Sequence, residues 1–507
     1  MHISEASRRA VVLWVAMFAI YNANGREIGT YDSQPPKFTA LAIAQHHTSA
    51  LDTSVDRLPQ LGERPGFTRD RHGHWRSAYP PLPGFLAGAA ALALSALGAW
   101  DPAAELAGPA IAKLTASALT AFAVALIYLT ALRLSDHRHA LLIAVAAGLG
   151  TNLWAQTSQT LWQGETAIAA LAAAVYLSLG KPSSTATVAG ASLALAVAVT
   201  TRLQLLPAVL VVTALLAWKT RKYVAVLAPL VLIGAAFAAL NLYWFGHLLG
   251  ARLQIEAASI ADHAVTGSVG NPLVGLAGLL ISPSRGLLIF SPIVLIAATG
   301  CWRLRRASAE LRWFAAAAGI QILTYSAYSV WWGGHSYGPR LLLDVVPLLA
   351  PLATIGLAWW TSTRSRTVVA SVLLAWSIAV SATGAFVFPN ERWNTSPTNV
   401  DRFHERLWDW RDPQFLRAWR AGLSPQNFQI FRREAFEPGV SCAHPSFSHE
   451  PLPTPTSTTQ LLWSESAADS VAEPALAHDD DGHVARADLR DDFLMHGEAI
   501  IAGKAKI

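Results

Sequence analysis

The sequence predicts an all-α polytopic membrane protein with about eleven transmembrane helices (ten to twelve) and a long first outer loop that carries interfacial helices. Three observations predict this. Of 507 residues, 53% are apolar and only 14% charged, against about 25% charged in a soluble domain. The charge is missing in blocks: uncharged apolar runs of roughly 16–28 residues recur from about residue 10 to residue 388, and runs of that length span a bilayer as helices. The remaining charge is unevenly placed. Residues 389–507 carry a net −6 and the preceding 388 residues a net +11. The basic excess thus belongs to membrane-edge loops and does not mark a nucleic-acid-binding surface.

Arg8 and Arg9 precede the run AVVLWVAMFAIYNAN, which has no small-residue cleavage site. It reads as an uncleaved first helix with a cytoplasmic N-terminus. Residues 23–83 form a polar loop rich in His, Arg, Asp and Pro. Eleven further apolar runs follow, near 84–100, 107–132, 140–158, 165–180, 185–201, 203–218, 223–245, 272–299, 313–332, 341–361 and 367–388.

Basic connections sort the two sides. Lys219, Arg221 and Lys222, then Arg303, Arg305 and Arg306, and lastly Arg364 and Arg366 are expected in the cytoplasm. Residues 246–271, 333–340 and everything after 388 then lie outside. A cytoplasmic N-terminus and an outer C-terminus need an odd number of crossings, so one of the twelve runs does not cross. The run 84–100, short and rich in small residues, is the expected exception.

The chain divides into a transmembrane module over 1–388, a Trp- and Arg-rich outer interfacial segment over 389–425, and a polar, disordered tail over 426–507. Cys301 and Cys442 show neither metal-ligand spacing nor a disulfide framework. No internal repeat, Walker loop, G-x-S-x-G elbow or zinc-protease helix is present.

Charges at a membrane edge are costly, and therefore informative. Asp32 follows the first helix by about ten residues, next to Pro35-Pro36. A carboxylate held there can act as a general base on a hydroxyl; the plainer alternative is a helix cap in a solvated loop. Two clusters are expected on the same face. One is Trp331-Trp332-Gly333-Gly334-His335-Ser336-Tyr337-Gly338-Pro339-Arg340, where glycines expose backbone N–H groups and Arg340 offers a planar fork, or where Arg340 simply snorkels. The other is Ser282-Pro283-Ser284-Arg285-Gly286, whose arginine lies deep in an apolar run and must be paired or line a polar cavity. Arg202, Gln204, Gln163 and Glu165 are lesser candidates, each more readily structural. His46-His47 and His72-Gly73-His74 are weak metal signals, and no metal site is assigned.

Taken together, the first-loop Tyr31-Asp32-Ser33, the stretch from Trp75 through Tyr79 to Pro81, Ser282–Gly286 and Trp332–Arg340 resemble the GT-C superfamily. These are polyprenyl-phosphate-sugar-dependent glycosyltransferases, among them protein O-mannosyltransferases and the lipid A aminoarabinose transferase. The resemblance covers about residues 1–420. It implies inverting transfer of a sugar, a hexose or pentose, from a lipid phosphate to an acceptor hydroxyl on a glycan, lipid or protein. It places the reaction at the outer face of a bacterial cytoplasmic membrane; some relatives use a divalent metal, but this sequence gives no sign of a site, and no cofactor is expected. Carried onto this chain, Asp32 is the expected base. Arg340, Arg285, Arg202, His335, Lys37 and Tyr79 are the expected contacts to lipid phosphate or sugar. One departure stands out: many relatives carry an adjacent acidic pair, whereas Ser33 follows Asp32 here.

The implied chemistry suits these residues. Hydrolysing an ordinary glycoside takes two carboxylates, because an alkoxide leaving group must be protonated. A lipid phosphate leaves as a stable anion and needs a cation instead. Two other readings fit a polytopic chain: a transporter or lipid flippase, and a non-catalytic scaffold. Convergence of Arg285 and Arg340 on Asp32 favours the enzyme; a charged through-passage favours transport.

Overall fold

The computed structural model describes residues 4–420 except 65, 105, 181–183, 253–254, 258–259, 261–262, 264 and 388–392, together with a short strand pair at Ala477–His478 and Val484–Ala485. The rest of the tail expected to be disordered lies outside the described residues. The described chain is almost wholly helical. It runs α1 (Glu5–Asn22), α2 (Gln34–His46), α3 (Asp52–Arg57), the hairpin β1 (Phe67–Arg69) and β2 (Trp75–Ser77), α4 (Leu82–Ala96), α5 (Ala107–Leu132), α6 (His137–Leu149), α7 (Gly164–Ser178), α8 (Thr185–Thr201), α9 (Leu206–Thr220) and α10 (Tyr223–Phe245). Further helices cover Pro272–Ile281, Leu295–Trp302, Ala309–Ser326, Val346–Trp360, Arg364–Phe386 and Gln414–Arg420.

Five helices among the described residues are long and apolar enough to cross a membrane: Ala107–Leu132, Leu203–Thr220, Tyr223–Phe245, Arg340–Trp360 and Arg364–Phe386. Six shorter apolar helices accompany them. Burial varies sharply. The most apolar part of Arg340–Trp360 is 78% buried, whereas that of Tyr223–Phe245 is only 6% buried. Val224, Leu232 and Leu273 are 80%, 67% and 77% exposed. Such large apolar faces belong against hydrocarbon rather than water.

The helix over 346–360 stands between two core clusters. Val346, Ala350 and Leu357 pack with α1, α5 and α6, while Leu348 and Leu352 pack with α8, α9 and 309–326. Glycines make the closest contact of this centre: a Cβ at Gly300 or Gly356 would lie 2.0 Å from a backbone oxygen of the facing helix. Whatever precedes residue 346 is therefore held by the most rigid part of the fold.

Two apolar runs are less regular than the sequence suggests. The run near 140–158 ends its α-helix at Leu149 and continues as a π-turn over Leu153–Thr157. The run 272–299 breaks into Pro272–Ile281, one turn over Leu287–Phe290 and Leu295–Trp302. Pro283 has no N–H to extend the first helix. Arg285, fully buried, needs acceptors that a continuous helix would keep for itself. The short helix α4 packs along α2, where Gly84 and Gly88 leave room for Thr39 and Ile43.

The described loops gather into two groups. Lys219 pairs with Glu310 at 2.5 Å and donates to the Ser178 carbonyl, gathering the basic connections at one end. The described residues of 23–83, 246–271, 333–340 and 393–420 meet at the other through the contacts described next.

Candidate functional site

Asp32 sits on a single 3-10 turn, Tyr31–Ser33, between α1 and α2. Ser33 explains why the turn is fixed. Its buried hydroxyl donates to the Thr30 carbonyl at 2.7 Å and accepts from the Thr30 N–H at 3.1 Å. Pro35 and Pro36 then start α2. Ser33 thus locks the turn that presents Asp32.

Both oxygens of the Asp32 carboxylate are engaged. Arg340 Nη2 donates to Oδ2 at 2.5 Å, and the Tyr79 hydroxyl donates to Oδ1 at 2.7 Å. The carboxylate remains one-third exposed and Arg340 one-fifth, so the pair faces an open space. Burial pushes the Asp32 pKa up, but the charge and hydrogen bond of Arg340 outweigh it. With help from Tyr79 and His263, they hold it below the ordinary carboxylate value. The Tyr79 hydroxyl moves the opposite way, raised well above its usual range by burial and by the adjacent carboxylate. It is a donor to Asp32 and stays protonated.

Arg340 starts the 3-10 segment Arg340–Val345 that leads into the central helix. Its guanidinium lies over the Trp162 ring at 4.2 Å and donates to the Gly333 carbonyl at 3.3 Å, a stacked and hydrogen-bonded setting that Lys cannot reproduce. Gly333 and Gly334 both have left-handed backbones, with φ of 75° and 68°, which lets the turn fold back over Arg340.

Beside this pair, with Tyr79 between, lies a narrow cleft whose lining includes neither Asp32 nor Arg340. Tyr79 belongs to both: its hydroxyl holds Asp32, and its side chain lines the cleft with Pro80, Gln163, Gln204, Trp244 and Arg252. With its amide turned to accept, Gln204 receives Arg252 Nη2 at 2.8 Å. Phe237, Leu249 and Ile255 supply an apolar wall, contributed in part by the lipid-facing helix α10. The cleft therefore offers an apolar wall and a set of polar groups, Gln163, Gln204 and Arg252, and connects to Asp32 through the Tyr79 hydroxyl.

The other predicted contacts are placed differently. Arg285 is fully buried and all five of its donors are used: Nε on Trp332 O, Nη1 on Ser284 O and Gln414 Oε1, Nη2 on Gly334 O and Asn394 Oδ1, at 2.7–3.2 Å. It does not converge on Asp32. It ties the 282–286 break, the Gly-rich turn and the outer segment together, and no N–H remains for a phosphate. Arg202 is likewise buried, pairing with Asp344 at 2.9 Å and donating to the Tyr325 hydroxyl at 3.2 Å. Asp344 lies four residues beyond Arg340, so Arg202 braces the segment that carries Arg340. Lys37 is 2% exposed and pairs with Glu27 at 3.2 Å. His335 pairs with Asp401 at 3.0 Å. Of the six expected contacts, the structure brings Arg340 and Tyr79 onto Asp32 and assigns Arg285 and Arg202 to the frame around them.

The lesser candidates divide as well. Gln163 and Gln204 line the cleft, while Glu165 is fully buried and accepts from the Trp162 N–H at 3.0 Å. His72 stacks on Tyr243 and His74 pairs with Asp52. Among the described residues, no group of three or more His, Cys, Asp or Glu is placed to hold a metal ion.

No protein-family model matches the chain, and no curated protein matches it. Solved structures do. The chain is similar to ArnT. Against the crystal structure of ArnT from Cupriavidus metallidurans in the apo state, the TM-score is 0.49 at 14% identity, covering 79% of this chain and 68% of that one. Against ArnT from the same organism bound to undecaprenyl phosphate, it is 0.46 at 12% identity, covering 81% and 75%.

Arg252, His263 and Asp401 escaped the sequence reading. Arg252 stands alone in a loop, and Asp401 lies in a segment whose Trp and Arg content suggested only headgroup anchoring. A signal was present for Trp162, next to the noted Gln163, but nothing linear joins it to Arg340.

Proposed function

We propose that this protein is a membrane glycosyltransferase that moves a sugar from a polyprenyl phosphate to an acceptor hydroxyl at the outer face, with inversion and with Asp32 as base. The observation that carries the proposal is the partly exposed Asp32–Arg340 pair, joined through the Tyr79 hydroxyl to a neighbouring cleft that has an apolar wall and Arg252. A lipid phosphate needs an apolar path and a cation, and a hydroxyl acceptor needs a base; the cleft supplies the apolar wall and Arg252, and the Asp32–Arg340 pair joined to it through Tyr79 supplies the base and a second cation. ArnT has been crystallised with undecaprenyl phosphate, and a phosphate on the same kind of lipid is the donor proposed here.

The pairing supports a specific sequence of events. In the unliganded site Arg340 satisfies Asp32 Oδ2 and depresses its basicity. A donor phosphate entering the cleft competes for the same guanidinium, with Arg252 close by. Once Arg340 turns to the phosphate, Oδ2 is vacated and burial raises the carboxylate's proton affinity. Asp32 then takes the acceptor's proton as the acceptor oxygen bonds to the anomeric carbon. The carbon–oxygen bond to phosphate breaks, and its electron pair leaves on the lipid phosphate, where Arg340 stabilises the growing charge. Tyr79 keeps Oδ1 and so aims the vacated oxygen. The base becomes competent only when the donor is in place.

Native mass spectrometry with added undecaprenyl phosphate tests the donor half of this reading. The wild type is expected to retain the lipid and Arg340→Gln to lose it. Equal retention by both would remove Arg340 from the phosphate site. No lipid bound by either would overturn the donor assignment.

A further inference from the structure

The outer segment after residue 388 supplies a carboxylate that no part of the proposed reaction uses. Asp401 is 8% exposed. Its Oδ1 accepts from Trp332 Nε1 at 2.6 Å, and its Oδ2 lies 3.0 Å from His335 Nε2 and 3.4 Å from His263 Nε2. The contacts around it are equally tight. The Asn399 carboxamide oxygen accepts from the Asp401 N–H at 2.9 Å and lies 3.2 Å from His335 Nε2. The His404 ring packs on Trp332 at 4.3 Å, with its Nε2 2.8 Å from the Asp401 carbonyl.

Trp332 and His335 flank Gly333 and Gly334. Two successive glycines with positive φ have no side chains to hold their conformation, and a Gly-Gly turn loses more freedom on ordering than any other pair. Its shape must come from its ends, and both ends are bound to the same carboxylate. The Gly333 carbonyl accepts from Arg340 Nη1, while Arg340 Nη2 reaches Asp32. His263 lies against the same turn, its Nε2 3.1 Å from where a Cβ on Gly334 would stand.

We infer that Asp401 is a positioning residue of the transfer site: it clamps both ends of the Gly333–Gly334 turn, and the turn's carbonyl aims Arg340. The outer segment is then part of the working module rather than an attachment to it. This rests on the function proposed above. A loosened Arg340 still reaches the singly charged phosphodiester of the donor, so donor KM changes little. Alignment with the charge growing on the leaving oxygen is what suffers, and that lowers kcat.

The test uses the full-length protein with Asp401→Asn, Asp401→Glu and the milder Trp332→Phe, which removes one clamp bond while keeping an aromatic ring. Two quantities are read: turnover of the lipid-linked donor, and hydrogen exchange of the 331–340 backbone. Asp401→Asn is expected to lower kcat at least tenfold with donor KM within threefold. Asp401→Glu should recover most of the loss, and Trp332→Phe should shift kcat less in the same direction. Wild-type kcat in Asp401→Asn, a loss confined to KM, or no recovery by Glu would overturn the inference and leave the proposed function standing. If the wild type consumes no polyprenyl-linked sugar, the function fails and exchange decides the clamp. Exchange at least tenfold faster over 331–340, with 107–132 unchanged, supports it; unchanged exchange over 331–340 overturns it.

Discussion

Asp32 and Arg340 lie 308 positions apart in the chain and 2.5 Å apart in space. One hangs from the first helix on a serine-locked turn, the other from the start of the most deeply packed helix. Their meeting is a product of the fold rather than of local sequence. Paired with Arg340, the Asp32 carboxylate is held below the ordinary carboxylate pKa despite its burial.

Replacing Arg340 should change the pH dependence of the reaction in a definite direction. Arg340 lowers the Asp32 pKa against the effect of burial. In Arg340→Gln the lowering influence goes and burial remains, so the acidic limb of kcat/KM, which reports the free enzyme, moves to higher pH. The rate itself should fall by about 10²–10³, as for loss of one charge-stabilising donor. A pH profile with an unmoved acidic limb would mean that this carboxylate is not the group being titrated.

Tyr79 donates to the oxygen of Asp32 that Arg340 does not reach. Tyr79→Phe keeps the ring that lines the cleft and removes only that bond. Donor affinity is expected to hold while kcat drops by about tenfold, corresponding to ~1.4 kcal/mol, close to the lower end of what a hydrogen bond to a charged group contributes. Steady-state kinetics separates the two quantities.

Arg285 yields a contrasting expectation. Five filled donors in a fully buried setting make it a structural centre, so Arg285→Met should act on folding. Loss of this network costs on the order of 3–5 kcal/mol, seen as a large drop in Tm with any surviving protein binding donor normally. Full stability with weakened lipid binding would instead return Arg285 to the phosphate site.

Asp401 makes the outer segment sensitive to acid. Burial pushes its pKa up, but His335, His263 and Trp332 bring it down to about 2 from an ordinary 3.8. A carboxylate lowered in the folded state contributes stability that is present above its unfolded pKa and is lost as pH falls through the folded one. That contribution is on the order of 2 kcal/mol. The Tm difference between wild type and Asp401→Asn should therefore be largest above about pH 4 and close as pH falls toward 2. A difference independent of pH over that window would contradict the assignment.

Much of this architecture was legible before any coordinates, for physical reasons. Apolar runs must become helices in hydrocarbon, because their backbone groups have no other partners. The basic connections sort to one end because Lys and Arg do so in sequence. Asp32, Tyr79 and Arg340 were visible as polar groups next to apolar boundaries. Sequence could not say whether a charge near such a boundary faces a ligand or its own chain. Arg285 and Arg340 look alike on paper; one is saturated by Asn394 and Gln414, more than a hundred residues away, and the other is left partly open. Asp401 was hidden for the same reason, since its partners His263, Trp332 and His335 come from two distant loops. The break at 282–286 was partly readable from Pro283, but its completion by the outer segment was not.

The central claim is that Asp32 is the base of a lipid-phosphate-dependent sugar transfer. It is tested most directly by following release of undecaprenyl phosphate from undecaprenyl-phosphate-linked pentoses and hexoses, in native membranes that supply the acceptor, with wild type and Asp32→Asn. One such donor is expected to be consumed by the wild type, and Asp32→Asn, folded and still able to bind undecaprenyl phosphate, to be slower by about 10²–10⁴. Turnover by Asp32→Asn at the wild-type rate, or consumption of no donor by either protein, would contradict it.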